Sequence, residues 1–380
     1  MERTTYDADH EAFRRGFREF LLREAVPHTA RWEAAGLVDR SFWAAAGAAG
    51  YLGFEAPPSY GGLGVRDFRY NAVMSEEVVS LAVASDGFSL HNDIVAPYLL
   101  DVATDDQKQR WLPGFTSGAT VTALAMSEPG AGSDVAAART SARYDGDGIV
   151  INGSKTFITN GSRADLVIVL CRTGEAAGNK GLSLVVVEAG TPGFVHGAPL
   201  MKIGRHGQDT AELFFDDCRV PAQNLLGQPG GAFPVLMTKL GRERLSIAVV
   251  AVASARAALG LALRHCRERQ AFGQPIGQFQ VLRHQLAELH TEVQIAQGHV
   301  DACVQALNGR TLSAVDAAGA KYWTTELQWR VVDRCLQMFG GYGYIEDYPI
   351  ARMWRDARVQ RIYGGTTEIM KEIVSRDLGL

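Results

Sequence analysis

Apolar residues recur at helical spacing from about Asp9 to Gly118, with breaks at Pro57-Pro58 and at Gly61-Gly62-Leu63-Gly64. Asp105-Asp106-Gln107-Lys108 reads as the start of a helix reaching Trp111, because acids favour the positive end of a helix dipole. From Val121 to about Leu226 the period changes to two. Ile149-Val150-Ile151, Leu166 to Leu170, Leu182 to Val187 and Ala211 to Phe215 read as short strands. Asn152-Gly153, Asp145-Gly146-Asp147-Gly148 and Thr191-Pro192-Gly193 read as turns. No helices of roughly 10–15 residues alternate with these strands, which predicts an antiparallel barrel or sandwich instead of a doubly wound sheet. From Phe233 the helical spacing returns and runs almost to the end, broken at Phe272 to Gly277 and at Gly340-Gly341-Tyr342-Gly343. Long helices joined by short loops suggest a four-helix bundle. The expected fold is therefore α+β in three parts: a helical domain over 1–119, a β domain over 120–228 and a helical bundle over 229–380.

Composition narrows the partners. The 380 residues are 47% apolar and 21% charged, and the formal charge is −4. That balance gives no reason to expect nucleic acid or an anionic membrane surface. No run approaches the roughly 20 apolar residues of a membrane span. The stretch Met1 to Asp7 is polar and carries acids, so it reads as neither a signal nor a transit peptide. Cys171, Cys218, Cys266, Cys303 and Cys335 show no paired spacing, which suits free thiols and a cytoplasmic location. The histidines form no metal-ligand spacing, and no nucleophile elbow is present.

Chemistry enters at Glu243. Leu236, Leu240, Glu243, Ile247 and Val250 share one helical face, while Arg242 falls with Lys239 and Ser246 on another. A carboxylate in an apolar stripe is either salt-bridged, to Arg244 or another arginine, or desolvated into the range of a general base. In Arg361-Ile362-Tyr363-Gly364-Gly365-Thr366-Thr367-Glu368, Gly364 and Gly365 make a plain flexible turn or a place where a backbone N–H polarises a carbonyl. Leu124-Ala125-Met126-Ser127-Glu128-Pro129-Gly130-Ala131-Gly132-Ser133-Asp134 runs a strand into a glycine-rich turn, either a tight turn alone or one whose N–H groups and serines approach a ligand. It is not a dinucleotide fingerprint. Phe157 and Thr159, two apart, either cover and hydrogen-bond a flat ring or belong to the core. Arg264, Arg267 and Arg269 hold a phosphate or form a solvated basic face.

Together with Asn152-Gly153-Ser154-Lys155, Arg269-Gln270-Ala271-Phe272-Gly273 and Gln337-Met338-Phe339-Gly340-Gly341, these stretches resemble the acyl-CoA dehydrogenase family over nearly the whole chain. In most of that family a catalytic glutamate follows the loop tyrosine, and here the position is Gly364. The long-chain branch carries its base in a Glu-Arg-Leu stretch instead, matched by Glu243-Arg244-Leu245, and the match continues through Ala320-Lys321-Tyr322-Trp323. The resemblance implies bound FAD and a homo-oligomer, usually a tetramer. It implies that Met126, Ser127, Phe157 and Thr159 surround the flavin ring, that Leu124 and Gly132 also bind the cofactor, and that Ser133 lies near the cofactor phosphates or the thioester tail. Arg269, Phe272, Gln280, Gln337, Gly340 and Gly341 would hold the phosphates and adenosine, some for a neighbouring subunit, and Thr366 and Glu368 would also touch FAD. Arg244, Tyr363 and Gly365, with Ser133, would line the substrate site. The implied reaction is α,β-dehydrogenation of an acyl-CoA thioester to a 2-enoyl thioester, with electrons passed to an electron-transfer flavoprotein. Glu243 would be the base, and the Gly364 N–H would polarise the carbonyl. The alternatives are an acyl-carrier-protein substrate, an oxidase, or an inactive flavin-binding relative. Phe88 to Tyr98 would line the far end of the acyl pocket, where His91, Asn92 and Asp93 leave a functionalised acyl group open.

Overall fold

The computed structural model describes residues 3–83, 87–174 and 178–380, so Met1 and Glu2 of the polar N-terminal stretch lie outside it. Among the described residues six α-helices precede the first strand: α1 (Ala8–Glu24), α2 (Thr29–Ala35), α3 (Arg40–Ala48), α4 (Phe68–Ser80), α5 (Ala96–Asp101) and α6 (Asp105–Ser117). Local chemistry sets their ends. Asp7 opens α1 and Thr104 opens α6 as capping boxes, and Gly118 closes α6 in the left-handed region at φ 74°. Between α4 and α5 the chain makes a π-helical stretch, Ser89–Val95, a rare wider winding that often marks functional sites.

The middle segment holds β1 (Thr122–Ala125), β2 (Ser141–Asp145), β3 (Gly148–Thr159), β4 (Leu166–Arg172), β5 (Leu182–Glu188), β6 (Phe194–Pro199), β7 (Thr210–Pro221) and β8 (Leu225–Leu226). The sheet order is β6-β7-β3-β2-β4-β5-β8. Two local expectations need correction. The sheet is not wholly antiparallel: β1 pairs with β4 in parallel, Thr122 opposite Leu166, because β2 and β3 intervene and supply the long connection a parallel pair needs. Asn152-Gly153 is not a turn either. β3 runs straight through it, and the register against β7 shifts between Ile151 and Gly153, so the pair forms a bulge.

The C-terminal part contains α7 (Ala232–Glu268), the short hairpin β9 (Gln270–Ala271) and β10 (Gln274–Pro275), α8 (Gln280–Asn308), α9 (Ala314–Met338), α10 (Pro349–Ala357) and α11 (Thr367–Asp377). Three long helices thus make the body of the bundle, with α10 and α11 on α9 and α4 from the N-terminal part on α7. Leu245, Val249, Val252 and Leu259 of α7 meet Leu289 and Val293 of α8 and Leu327 and Val331 of α9 in one core. By length and composition α7, alone among the described residues, would pass for a membrane span, yet 72% of its most apolar window is buried inside the protein. Most of its apolar surface is thus covered by its neighbours.

Candidate active site

Glu243 lies in α7 and is 4% exposed. Its Oε1 accepts a hydrogen bond of 2.9 Å from the Tyr98 hydroxyl of α5, and it forms no ion pair among the described residues. The salt-bridged alternative therefore does not describe it. Burial pushes its carboxyl up to about 7, against the opposing pulls of the Tyr98 donor and the nearby Arg244 charge. A carboxylate in that range exchanges protons near neutral pH, as a general base must. Its helix neighbours face away, as the periodicity predicts. Arg242 pairs with Glu55 and donates to the Asn92 carbonyl at 3.1 Å, while Ser246 hydrogen-bonds Asp93 and Lys239 binds Asp101 at 2.5 Å.

The loop from Tyr363 to Thr366 meets α7 one turn beyond Glu243. Gly364 has φ 65°, and a Cβ built there would collide with Ile247 Cδ1. No hydrogen bond among the described residues uses the Gly364 N–H. Two α9 groups hold the loop: buried Lys321 donates its Nζ to the Gly365 carbonyl at 2.7 Å, and half-buried Glu326 accepts from Arg361 at 2.7 Å and Thr367 at 3.0 Å. Thr366 caps α11, with Glu368 exposed in its first turn. Burial, and then the Arg244 charge, lower Lys321 to about 8. Arg244 itself is buried, and its Nε has no partner among the described residues. Tyr363 lies half-buried under the Arg205 guanidinium, 5.4 Å from its ring centre. Gly364, Gly365, Tyr363, Arg244 and Glu243 are thus brought to one place.

β1 delivers the glycine-rich turn beside this place. Leu124 and Met126 belong to the same apolar cluster as Leu90, Ile94, Tyr98 and Leu236. Fully buried Lys155 of β3 pins the turn, donating to the Met126 carbonyl at 3.1 Å and to Glu128 at 2.8 Å. Burial notwithstanding, Lys155 and the Arg139 and Thr140 N–H groups hold the Glu128 carboxyl down at about 2. The Ser127 carbonyl accepts from Thr156 at 2.9 Å. Gly132 would have nothing within 4 Å of a Cβ, and it and Ser133 are exposed. Phe157 is not a core residue: a bulge between Lys155 and Ile158 turns it out, 70% exposed at φ 59°. A left-handed non-glycine residue with an open aromatic face is strained, and such strain gathers at ligand sites. Thr159 sits half-buried at the end of the same strand.

A second group lies elsewhere. Arg269, Gly340 and Gly341 line a cavity of about 500 Å³ with His265, Phe339 and Tyr342. The Arg269 guanidinium stands 5.7 Å over the Tyr342 ring, and neither glycine would have an atom within 4 Å of a Cβ. Phe272, 95% exposed at φ 53°, projects from the β9–β10 hairpin. Gln280 begins α8, and Gln337 lies at the end of α9, both exposed. Arg264 and Arg267 are exposed and do not line the cavity. At 1.5 Å per residue, Arg269 lies roughly 40 Å along α7 from Glu243, too far for one bound dinucleotide to touch both.

Three residues of the site escaped sequence reasoning. In the sequence Tyr98 reads only as the end of the segment lining the far acyl pocket, and Lys321 and Lys155 read only as parts of motifs. Nothing local marks them, because their partners lie 145, 44 and 27 positions away. His91, Asn92 and Asp93, by contrast, are engaged elsewhere. His91 bonds the Phe115 carbonyl at 2.9 Å, Asn92 accepts from the Gly53 N–H at 2.9 Å, and Asp93 accepts from Asn71 at 2.7 Å and binds Ser246.

Comparison with known proteins follows the same three parts. The family models for the acyl-CoA dehydrogenase N-terminal, middle and C-terminal domains match residues 7–119, 123–218 and 230–379. The chain is 44% identical to the long-chain specific acyl-CoA dehydrogenase of Sus scrofa, covering 99% of this chain and 88% of that one. It is 36% identical to the isovaleryl-CoA dehydrogenase of Oryza sativa subsp. japonica over 98% and 92% of the two chains. The crystal structure of an acyl-CoA dehydrogenase from Geobacillus kaustophilus superposes with a TM-score of 0.98 at 45% identity, covering both chains completely.

Proposed function

The chain belongs to the acyl-CoA dehydrogenase family, and from that premise we propose that Glu243 is the base that removes the α-proton of its acyl-CoA thioester. Members of the family are FAD-dependent flavoprotein oxidoreductases of fatty acid metabolism, and the reaction class is dehydrogenation of an acyl-CoA. The observation that carries the Glu243 assignment is a buried carboxylate with no ion pair among the described residues and a proton affinity near neutrality, one helical turn from a loop glycine whose N–H makes no hydrogen bond among them.

The residues present fit the cofactor: an exposed Phe157 ring, an open glycine turn, and a separate cavity combining an arginine with two glycines. When bound, FAD supplies the two-electron acceptor for the β-hydride. Leu124, Met126, Ser127, Gly132, Ser133, Phe157, Thr159, Thr366 and Glu368 hold its flavin half in this reading. Arg269, Phe272, Gln280, Gln337, Gly340 and Gly341 hold an adenosine half. Because these two groups lie so far apart, the second serves the cofactor of another copy, which supports a homo-oligomer and, by the family's habit, a tetramer.

The chain's own chemistry is then a proton transfer under a polarised carbonyl. The Gly364 N–H donates to the thioester oxygen and stabilises the charge that grows there as the α-C–H bond breaks. Glu243 takes that proton, and the electron pair left behind forms the new double bond as hydride leaves the β-carbon. Arg244 and Lys321 add positive charge beside the developing anion. Tyr363 and Gly365 line the thioester, and the stripe from Glu243 through Ile247 to Val250 offers an apolar wall for the acyl tail. An electron-transfer flavoprotein would take the electrons onward. The cytoplasm remains the proposed location, supported by five buried, free cysteines, although the mammalian long-chain relatives are named mitochondrial.

The test is an anaerobic titration of the holoenzyme with CoA and acyl-carrier-protein thioesters of graded length. Flavin bleaching with formation of a 2-enoyl-CoA is the expected result. A flavin that no CoA thioester bleaches would overturn the reading.

A further inference from the structure

We propose that Tyr98 is a positioning residue that fixes the Glu243 carboxylate and sets how tightly it keeps a proton. This rests on Glu243 being the base. The Tyr98 hydroxyl gives Glu243 a hydrogen bond to Oε1 at 2.9 Å, and no other hydrogen bond to this carboxylate is formed among the described residues. Oε2 therefore stays open to receive a proton. Tyr98 is fully buried, so the donor competes with no solvent. Burial and the adjoining carboxylate also push the phenol well above its ordinary range, which keeps it a donor at every working pH.

The backbone around Tyr98 is held in register by bonds that involve neither group. The π-helical stretch Ser89–Val95 leads directly into α5, whose first turn carries Tyr98. That stretch is latched to α7 on both sides of Glu243. Arg242, the preceding residue, donates to the Asn92 carbonyl at 3.1 Å, and Ser246, one turn later, binds Asp93. Asn71 of α4 holds the same Asp93 carboxylate at 2.7 Å.

The other charged groups around Glu243 are engaged or apart. Glu55 pairs with Arg242, Asp101 of α5 pairs with Lys239, Asp93 is bound by Ser246 and Asn71, and Lys321 of α9 binds the Gly365 carbonyl. Arg244 acts on Glu243 by charge and forms no ion pair with it among the described residues. Removing the Tyr98 hydroxyl therefore removes the one hydrogen bond among the described residues that favours the ionised carboxylate, and leaves the Arg244 charge in place.

The experiment follows flavin reduction by a saturating acyl-CoA against pH, anaerobically, in holoenzyme carrying Tyr98→Phe. The midpoint of the rising limb should move up by about one pH unit, a tenfold slower reduction on the acid side, with FAD content unchanged. Site-specific replacement of Tyr98 by 3-fluorotyrosine, a stronger donor of nearly the same shape, should move it down, and it keeps the question open to measurement if the phenylalanine variant folds poorly. Midpoints that do not move in either variant would overturn the proposal. Glu243→Gln separates the two ideas. If it still reduces flavin, the base assignment fails; if it is inert while the Tyr98 variants show an unmoved midpoint, only the Tyr98 role fails.

Discussion

Replacing Glu243 with glutamine should stabilise the protein in alkali and leave it unchanged in acid. The carboxyl ordinarily titrates at 4.5, and burial raises it to about 7 in the fold. Between those values the native protein holds a proton that the unfolded chain has released, so stability falls as pH rises through the window. The penalty is absent below 4.5 and complete above about 7. At about 1.4 kcal/mol per unit it reaches roughly 3 kcal/mol. Glutamine never ionises, and its amide oxygen can still accept from Tyr98. An unfolding entropy of about 2.1 cal/mol/K per residue makes that difference worth ~4 °C in Tm for a chain of 380 residues. Thermal unfolding in saturating FAD should therefore show the variant ~4 °C above wild type near pH 8.5, with the two converging near pH 5. An offset that is the same at both pH values, or a variant less stable in alkali, would refute the desolvation argument.

Two further outcomes follow from the loop and from the distant cavity. Gly364→Ala must place a side chain at φ 65° against Ile247 Cδ1, so it should cost about 1–2 kcal/mol in urea unfolding and slow flavin reduction; adding Ile247→Val, which deletes that atom, should recover part of both. Arg269→Ala removes an exposed guanidinium that makes no ion pair among the described residues, so the fold should persist by circular dichroism while FAD affinity, measured by titrating apoprotein, drops about 10–100-fold. Unchanged FAD affinity would remove Arg269 from the cofactor site.

What the sequence makes legible is whatever repeats along the chain. The switch from helical to alternate spacing and back is local, and so is the placement of Glu243 in an apolar stripe with Arg242, Lys239 and Ser246 turned away. What escapes it depends on distant partners. The Tyr98 contact joins residues 145 positions apart, and no periodicity on α5 or α7 announces it. Asn152-Gly153 carries the composition of a turn, yet pairing with β7 absorbs it as a bulge. Phe157 alternates like a core residue until a second irregularity in the same ladder rotates it outward. His91, Asn92 and Asp93 look like pocket residues because their types are polar, whereas their bonds to Phe115, Gly53, Asn71 and Ser246 spend that polarity on packing. The parallel β1–β4 pair is hidden for the same reason, since strand direction follows from how the intervening chain returns and not from composition.

The central claim is that Glu243 supplies the base that Gly364 lacks. Anaerobic mixing of an acyl-CoA with FAD-replete Glu243→Gln measures it most directly. The account predicts that wild type bleaches and forms enoyl product, while the variant keeps its FAD, still binds the thioester by its perturbation of the flavin spectrum, and does not bleach. Bleaching of the variant at the wild-type rate would contradict it.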